Sequence, residues 1–152
     1  MNDTKQLLVF ELDDQHYALH LSIVERIVRV VEITPLPKAP EIVLGVVNLQ
    51  GRVIPVVNVR KRFHLPEREI RLSDQLIIAH TSRRTVALLA DEVSGVFEHS
   101  EQELIAGEKI LPGMAYVEGV VKLEDGLILI HDLDTFLLFE EEKLLDDAIR
   151  ET

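Results

Sequence analysis

Hydrophobic residues in this chain fall in short runs of strand length, and only the last twenty or so residues change to a helical period. Tyr17, Leu19 and Leu21 alternate with His16, Ala18 and His20, the period of a strand with one buried face. Leu7 to Phe10, Gln75 to Ala79 and Leu127 to Ile130 are apolar on both faces, which predicts strands covered on both sides. Asp13-Asp14, Gln50-Gly51, Ser82-Arg83 and Glu124-Asp125-Gly126 supply turn residues between these runs. Pro55 cannot donate a ladder hydrogen bond, which predicts an edge or a bulge within Arg52 to Asn58, and Pro35, Pro37 and Pro40 mark a loop. Helix is confined to one or two turns in Val59 to Leu65 and to a C-terminal helix over 134–150. That helix carries Leu137, Leu144 and Ile149 on an apolar stripe, with Asp132 or Asp134 as its cap.

The pattern repeats. Gln6 to Val28 lies without gaps on Gln75 to Phe97 with five identities, among them Ala18-Leu19 on Ala87-Leu88 and Val24 on Val93. Gly45 to Phe63 lies on Gly119 to Leu137, sharing Gly-Val-Val-x-Leu and placing Ile54 on Ile128. The offset is 69 residues in the first block and 74 in the second, in the same order, the signature of an internal duplication. Each half is then expected to form its own small β unit within a single domain over 1–152, the first spanning about 5–65 and the second about 73–138. Roughly five strands per half with short turns favours two small closed barrels over one open sheet, because closure removes edges.

The size, 152 residues, leaves no room for a separate catalytic domain beside two such units. Charge divides unevenly: residues 1–72 hold ten Lys/Arg against nine Asp/Glu, and residues 73–152 hold six against eighteen. An acidic half disfavours a nucleic-acid partner, whose phosphates need a basic surface. With no cysteine there is no thiolate chemistry. The N-terminus lacks the order of a signal peptide, and no apolar run approaches the ~20 residues of a spanning helix. A cytoplasmic protein without membrane insertion is expected.

Candidate chemistry is sparse. His16, His20, His64, His80, His99 and His131 are scattered singly, and surface or strand-end positions account for them better than a metal site. Ser94 lacks the glycine two residues earlier that a nucleophile elbow requires and reads as a turn serine. Gly45 to Gly51 and Gly107-Glu108-Lys109 lack the ending of a phosphate loop. Asp132 and Asp134 suit a helix N-terminus better than paired-carboxylate chemistry. Catalytic residues, metal and cofactor are all expected to be absent.

Gly45 to Phe63 resembles the most recognisable stretch of the CheW family, Gly-Val-hydrophobic-Asn-Leu-Arg-Gly followed by a Pro-Val strand and Asp-Leu-Arg. Tyr17-Ala18-Leu19, Val24 to Ile27, Pro35 to Pro40, Val86 to Val93 and Gly119 to Leu137 fall in the family's order, so that the likeness covers about residues 5–140. The resemblance implies a mostly β fold of two tandem five-stranded Src-homology-3-like barrels. It further implies a non-catalytic adaptor at membrane receptor arrays, joining the hairpin tip of a chemoreceptor to the regulatory domain of a CheA-type histidine kinase. Carried over, receptor contacts are expected at Val24, Arg26, Ile27, Gly45, Asn48, Gln50, Val86 and Leu88, and kinase contacts at Arg52, Arg60 and Arg62. Gly45 is expected to serve the backbone, by positive φ or close approach. Three positions depart from the family pattern: Gln50 replaces Arg, Asn58 replaces Asp, and Arg26 replaces Glu. These leave open a scaffold of a non-chemotactic pathway, such as surface motility or gene regulation. From outside the family, the alternative is a small-ligand-binding β-barrel.

Overall fold

The computed structural model describes residues 4–100, 104–106, 116–123 and 126–150. The first half contributes β1 (Thr4–Leu12), β2 (Gln15–His20), β3 (Val24–Arg29), β4 (Val43–Leu49), β5 (Arg52–Val57) and the one-turn helix α1 (Val59–Arg62). The second half contributes β6 (Gln75–His80), β7 (Thr85–Ala90), β8 (Glu92–Ser100), β9 (Leu104–Ala106), β10 (Val117–Leu123), β11 (Gly126–His131) and the helix α2 (Phe139–Arg150). The fold is mostly β, as the patterning predicted. Gly107-Glu108-Lys109 and the Glu124-Asp125 turn lie outside the described residues.

One sheet runs β8-β1-β2-β11-β10-β9 and the other β3-β6-β7-β5-β4. The duplication is visible in this order. Under the two sequence offsets β3, β6, β7, β5 and β4 map onto β8, β1, β2, β11 and β10, and β9 is a short addition at one edge that makes a sixth strand. Registers agree residue by residue: Ala18 pairs with Ile130 as Ala87 pairs with Val56, and Val9 pairs with Gly95 as Ile78 pairs with Arg26. Even the irregularities repeat, since β8 bulges at Ser94 and β3 at the equivalent Glu25. Ser94 is thus a bulge residue and not a turn serine.

The boundaries at about 5–65 and 73–138 need correction, because the halves exchange hairpins. The β1–β2 hairpin sits in the sheet of β8, β10 and β11, and the β6–β7 hairpin sits in the sheet of β3, β4 and β5. The physical reason lies in burial. Leu7, Val9 and Ala18 face a cluster with Val121, Ile128 and Ile130, while Leu8, Phe10, Tyr17 and Leu19 face a central cluster shared by both sheets. Leu76, Ile78 and Ala87 likewise face Val47, Ile54 and Val56, with Ile77, Ala79 and Leu88 turned to the shared core. Each exchanged hairpin is therefore sandwiched between two apolar layers, as the two-faced runs required. β2 is covered on both faces and not on one, because Tyr17 and Leu19 face the shared core while Ala18 faces the outer cluster.

Pro55 is not on an edge. β5 lies between β7 and β4, but its ladder to β7 covers only Val56 and Val57, so the missing N–H falls outside it. The C-terminal helix starts later than expected. A 3₁₀ turn over Leu133–Thr135 precedes it, and the Leu138 N–H donates to Glu141 Oε1 at 2.8 Å, the half of a capping box supplied by the third helical residue. Its buried face carries Glu142, Leu145 and Ala148, one step round from the expected stripe, and Leu144 is exposed.

Candidate functional site

Two members of the basic run after β5, Arg60 and Arg62, are embedded in the protein, their side chains 10% exposed. Asn58 caps α1: its Oδ1 accepts from the Lys61 N–H at 3.1 Å, and its Nδ2 donates to Glu67 at 2.8 Å. Asn caps a helix about as well as Asp, so this departure from the family pattern is absorbed locally. Arg60, 8% exposed, donates to Asp13 and Asp91, both at 2.8 Å. Arg68 holds Asp91 and the buried Asp74. Burial pulls the Asp91 carboxyl up, but the Asp13 N–H and the guanidinium groups of Arg60 and Arg68 outweigh it and hold its pKa below the usual value. Arg62 pairs with Glu141 and lies 5.0 Å over the Tyr116 ring, tying α2 to α1. Arg60 and Arg62 are thus internal fasteners, and their expected kinase contact is corrected on that ground. Lys61 reaches Glu41 at the surface, 3.0 Å away.

The tight turn between β4 and β5 is exposed. Gln50 and Gly51 both have positive φ, 52° and 87°, the geometry of a two-residue hairpin turn of the I′ kind. Asn48 Oδ1 accepts from the Gly51 N–H at 2.9 Å. Arg52 donates to Glu25 at 2.7 Å and to Thr85 at 3.2 Å, joining the start of β5 to β3 and β7. Gly45 is buried where β4 meets the proline loop, and a Cβ there would stand 2.3 Å from the Thr34 carbonyl oxygen. Close approach is the reason for the glycine; its side has no surface for a partner.

On β3, Val24 and Arg26 are half-buried and Ile27 is 37% exposed. Val86 and Leu88, 1% and 0% exposed, lie in the shared core and cannot touch a partner without unfolding, which corrects their expected role. On the other sheet the equivalent of Ile27 under the 69-residue offset is Val96, 53% exposed. Val53 and Leu127 form a second exposed equivalent pair, 74 residues apart. The repeat itself was the signal that could have found Val96: the offset carries Ile27 onto it directly.

Two histidines, His99 and His131, are buried and not at the surface. His131 stacks on Phe63 with ring centroids 4.4 Å apart, surrounded by Phe10, Tyr17 and Phe136. Burial lowers its pKa to about 3, so the imidazole is neutral. His16 and His20 meet Glu11 and Glu118, at 2.9 and 2.8 Å. Among the described residues no three His, Cys, Asp or Glu converge as metal ligands. Nor is any helix there long and apolar enough to cross a membrane. At its surface the molecule presents an exposed turn and paired apolar residues on two like sheets.

Comparison with known proteins agrees with this picture. Residues 6–141 match the family of CheW-like domains. The chain is 33% identical to the chemotaxis protein CheW of Thermotoga maritima over 132 residues, covering 87% of each chain. It is 28% identical to that of Treponema pallidum, over 95% of this chain and 88% of the other. The crystal structure of the scaffolding protein TtCheW from Thermoanaerobacter tengcongensis superposes with a TM-score of 0.82 at 30% identity, covering 90% of this chain and 94% of that one.

Proposed function

The chain belongs to the family of CheW-like domains, a family of scaffolding proteins, and on that footing we propose that it is a non-catalytic cytoplasmic adaptor. It couples the hairpin tips of chemoreceptors to a CheA-type histidine kinase in a membrane-associated array. The observation that carries this reading is the likeness over nearly the whole chain, to a scaffolding protein in structure and to chemotaxis proteins in sequence. Physical support comes from the surface. Ile27 and Val96 leave apolar area exposed on two equivalent strands, and an interface needs such an apolar centre within a polar rim. Asn48, Gln50 and Arg52 supply polar groups at the exposed turn, where Gln50 replaces the family's arginine.

The receptor contact is assigned to Val24, Arg26, Ile27, Asn48 and Gln50 with Val96, and the kinase contact to Arg52. Nucleic acid and inserted membrane are not partners in this reading. Sedimentation of the full chain with a soluble receptor signalling fragment and with the regulatory domain of the kinase is the test. Retention of both is expected, with Ile27→Asp weakening the receptor and Arg52→Ala leaving it bound. Retention of neither, across the receptors of the same cell, defeats the proposal.

A further inference from the structure

We infer that Arg26 on β3 selects the receptor by taking a carboxylate from the segment that docks there. The inference deepens the adaptor reading and rests on it for the identity of the docking partner. Among the described residues five arginines are buried or half-buried: Arg26, Arg60, Arg62, Arg68 and Arg84. Four of them are held by carboxylates, Arg60 by Asp13 and Asp91, Arg62 by Glu141, Arg68 by Asp74 and Asp91, and Arg84 by Glu142 and Asp146. Arg26 is the exception. No described Asp or Glu pairs with it, and its Nε is buried with no hydrogen-bond partner. In a chain with 27 Asp and Glu against 16 Lys and Arg, carboxylates are not in short supply. Partly desolvating a charge without pairing it costs stability, and a break in a local rule of this kind is expected where function demands it.

The surroundings of Arg26 define what it takes. Burial alternates along β3, with Val24, Arg26 and Val28 half-buried and Glu25, Ile27 and Arg29 exposed. Val24 packs against the central cluster and Val28 against the cluster of Val47, Ile54 and Val56, so the arginine stands between two apolar neighbours on its strand. The carboxylate next to it in sequence, Glu25, is already taken by Arg52 at 2.7 Å. A single guanidinium in such a setting suits a single carboxylate, which its planar fork can hold by two hydrogen bonds. A phosphate group, with a charge of about −1.5 to −2, would be left undercompensated. The opposite sheet carries no such charge. Under the 69-residue offset Arg26 falls on Gly95, where a Cβ would meet nothing within 4 Å. Apolar area is thus present on both like strands, at Ile27 and Val96, and the cation on one of them only. A segment with apolar side chains for both and a carboxylate for Arg26 docks in one direction.

A sedimentation titration of the full chain with a soluble signalling fragment of a receptor from the same cell, at low and at high salt, tests this, with urea unfolding of the free chain alongside. Arg26→Gln is expected to weaken receptor binding at least about tenfold, the scale of losing a charged hydrogen bond, and to flatten its dependence on salt. The urea midpoint of the free chain is expected to stay the same or rise, because no pair is broken there. Arg26→Glu is expected to bind more weakly still, and reversing one receptor Asp or Glu to Arg is expected to restore its binding. Ile27→Ala is expected to weaken binding with the salt dependence intact. Equal binding by the unaltered chain and Arg26→Gln, or no rescue of Arg26→Glu by any single reversal, would overturn the inference and leave the adaptor reading standing. So would a lowered urea midpoint for Arg26→Gln, which would mean that a carboxylate of this chain holds the arginine. Failure of the unaltered chain to bind the receptor defeats both. Should Arg26→Glu not fold, Arg26→Gln and Arg26→Lys decide, since lysine keeps the charge and is expected to keep the salt dependence.

Discussion

Arg60 donates through Nη2 to both carboxylate oxygens of Asp91 at 2.8 Å, across a contact between the two halves of the sequence. Its Nη1 donates to Asp13 in the β1–β2 turn at 2.8 Å. One guanidinium thus fastens the exchanged β1–β2 hairpin, the start of β8 and the end of β5 at a single point. Arg60→Ala leaves two carboxylates close together with Arg68 as their only described guanidinium. A loss of about 3 kcal/mol in urea unfolding is expected, as for breaking a buried pair. Arg60→Lys recovers part of that, because charge returns but the planar fork does not.

Hairpin exchange makes each half depend on the other. A fragment of residues 1–72 contains β1 and β2 but neither β8 nor β11, the strands they pair with. Expressed alone, it is expected to lack the dispersed amide spectrum of a folded chain. Mixing it with a 73–152 fragment is expected to restore that spectrum. A folded isolated half would contradict the topology.

Two glycines separate steric from conformational need. At Gly45 a methyl group meets the Thr34 carbonyl at 2.3 Å, so Gly45→Ala is expected to cost about 1–3 kcal/mol through overpacking. At Gly51 nothing lies within 4 Å, and Gly51→Ala pays only for φ of 87°, about 1–2 kcal/mol. Gln50, at φ 52°, carries that same strain, and Gln50→Gly is expected to stabilise the turn. Chemical denaturation of the three variants checks the order.

Acid should unfold this protein partly through His131. In the unfolded chain its imidazole takes a proton below about 6.5, and in the fold only near about 3. Below 6.5 the unfolded state therefore binds more protons, and stability falls as pH drops through that window and is full above it. The contribution approaches about 1.4 kcal/mol per pH unit. Asp91 acts in the same direction lower down: its stabilisation is present above 3.8 and fades as pH falls through its depressed folded value. His131→Phe keeps the ring against Phe63 and is expected to flatten the slope between pH 6.5 and 4.5; an unchanged slope would contradict the assignment.

Much of the fold was legible in the residues. Leu7 to Phe10 and Gln75 to Ala79 announced strands buried on both faces, and the two offsets announced equivalent units whose registers the structure repeats. The exchange of hairpins was not legible, because a duplicated sequence reads the same whether Ala18 pairs within its own half or with Ile130. Contacts were harder still. Val86 and Ile27 are both apolar strand residues, and only the third dimension puts one in the core and the other at the surface. Arg60 stood in a basic run, but its partners Asp13 and Asp91 lie 47 and 31 residues away, beyond any local pattern.

Coupling itself is the central claim, and the autophosphorylation rate of a CheA-type kinase with receptor signalling fragments measures it. Adding this chain is expected to raise the receptor-dependent rate at least about tenfold, within the usual range of coupling between sites, and Ile27→Asp is expected to abolish the rise. A rate that is the same with and without the chain, for receptors and kinase of its own cell, would contradict the account.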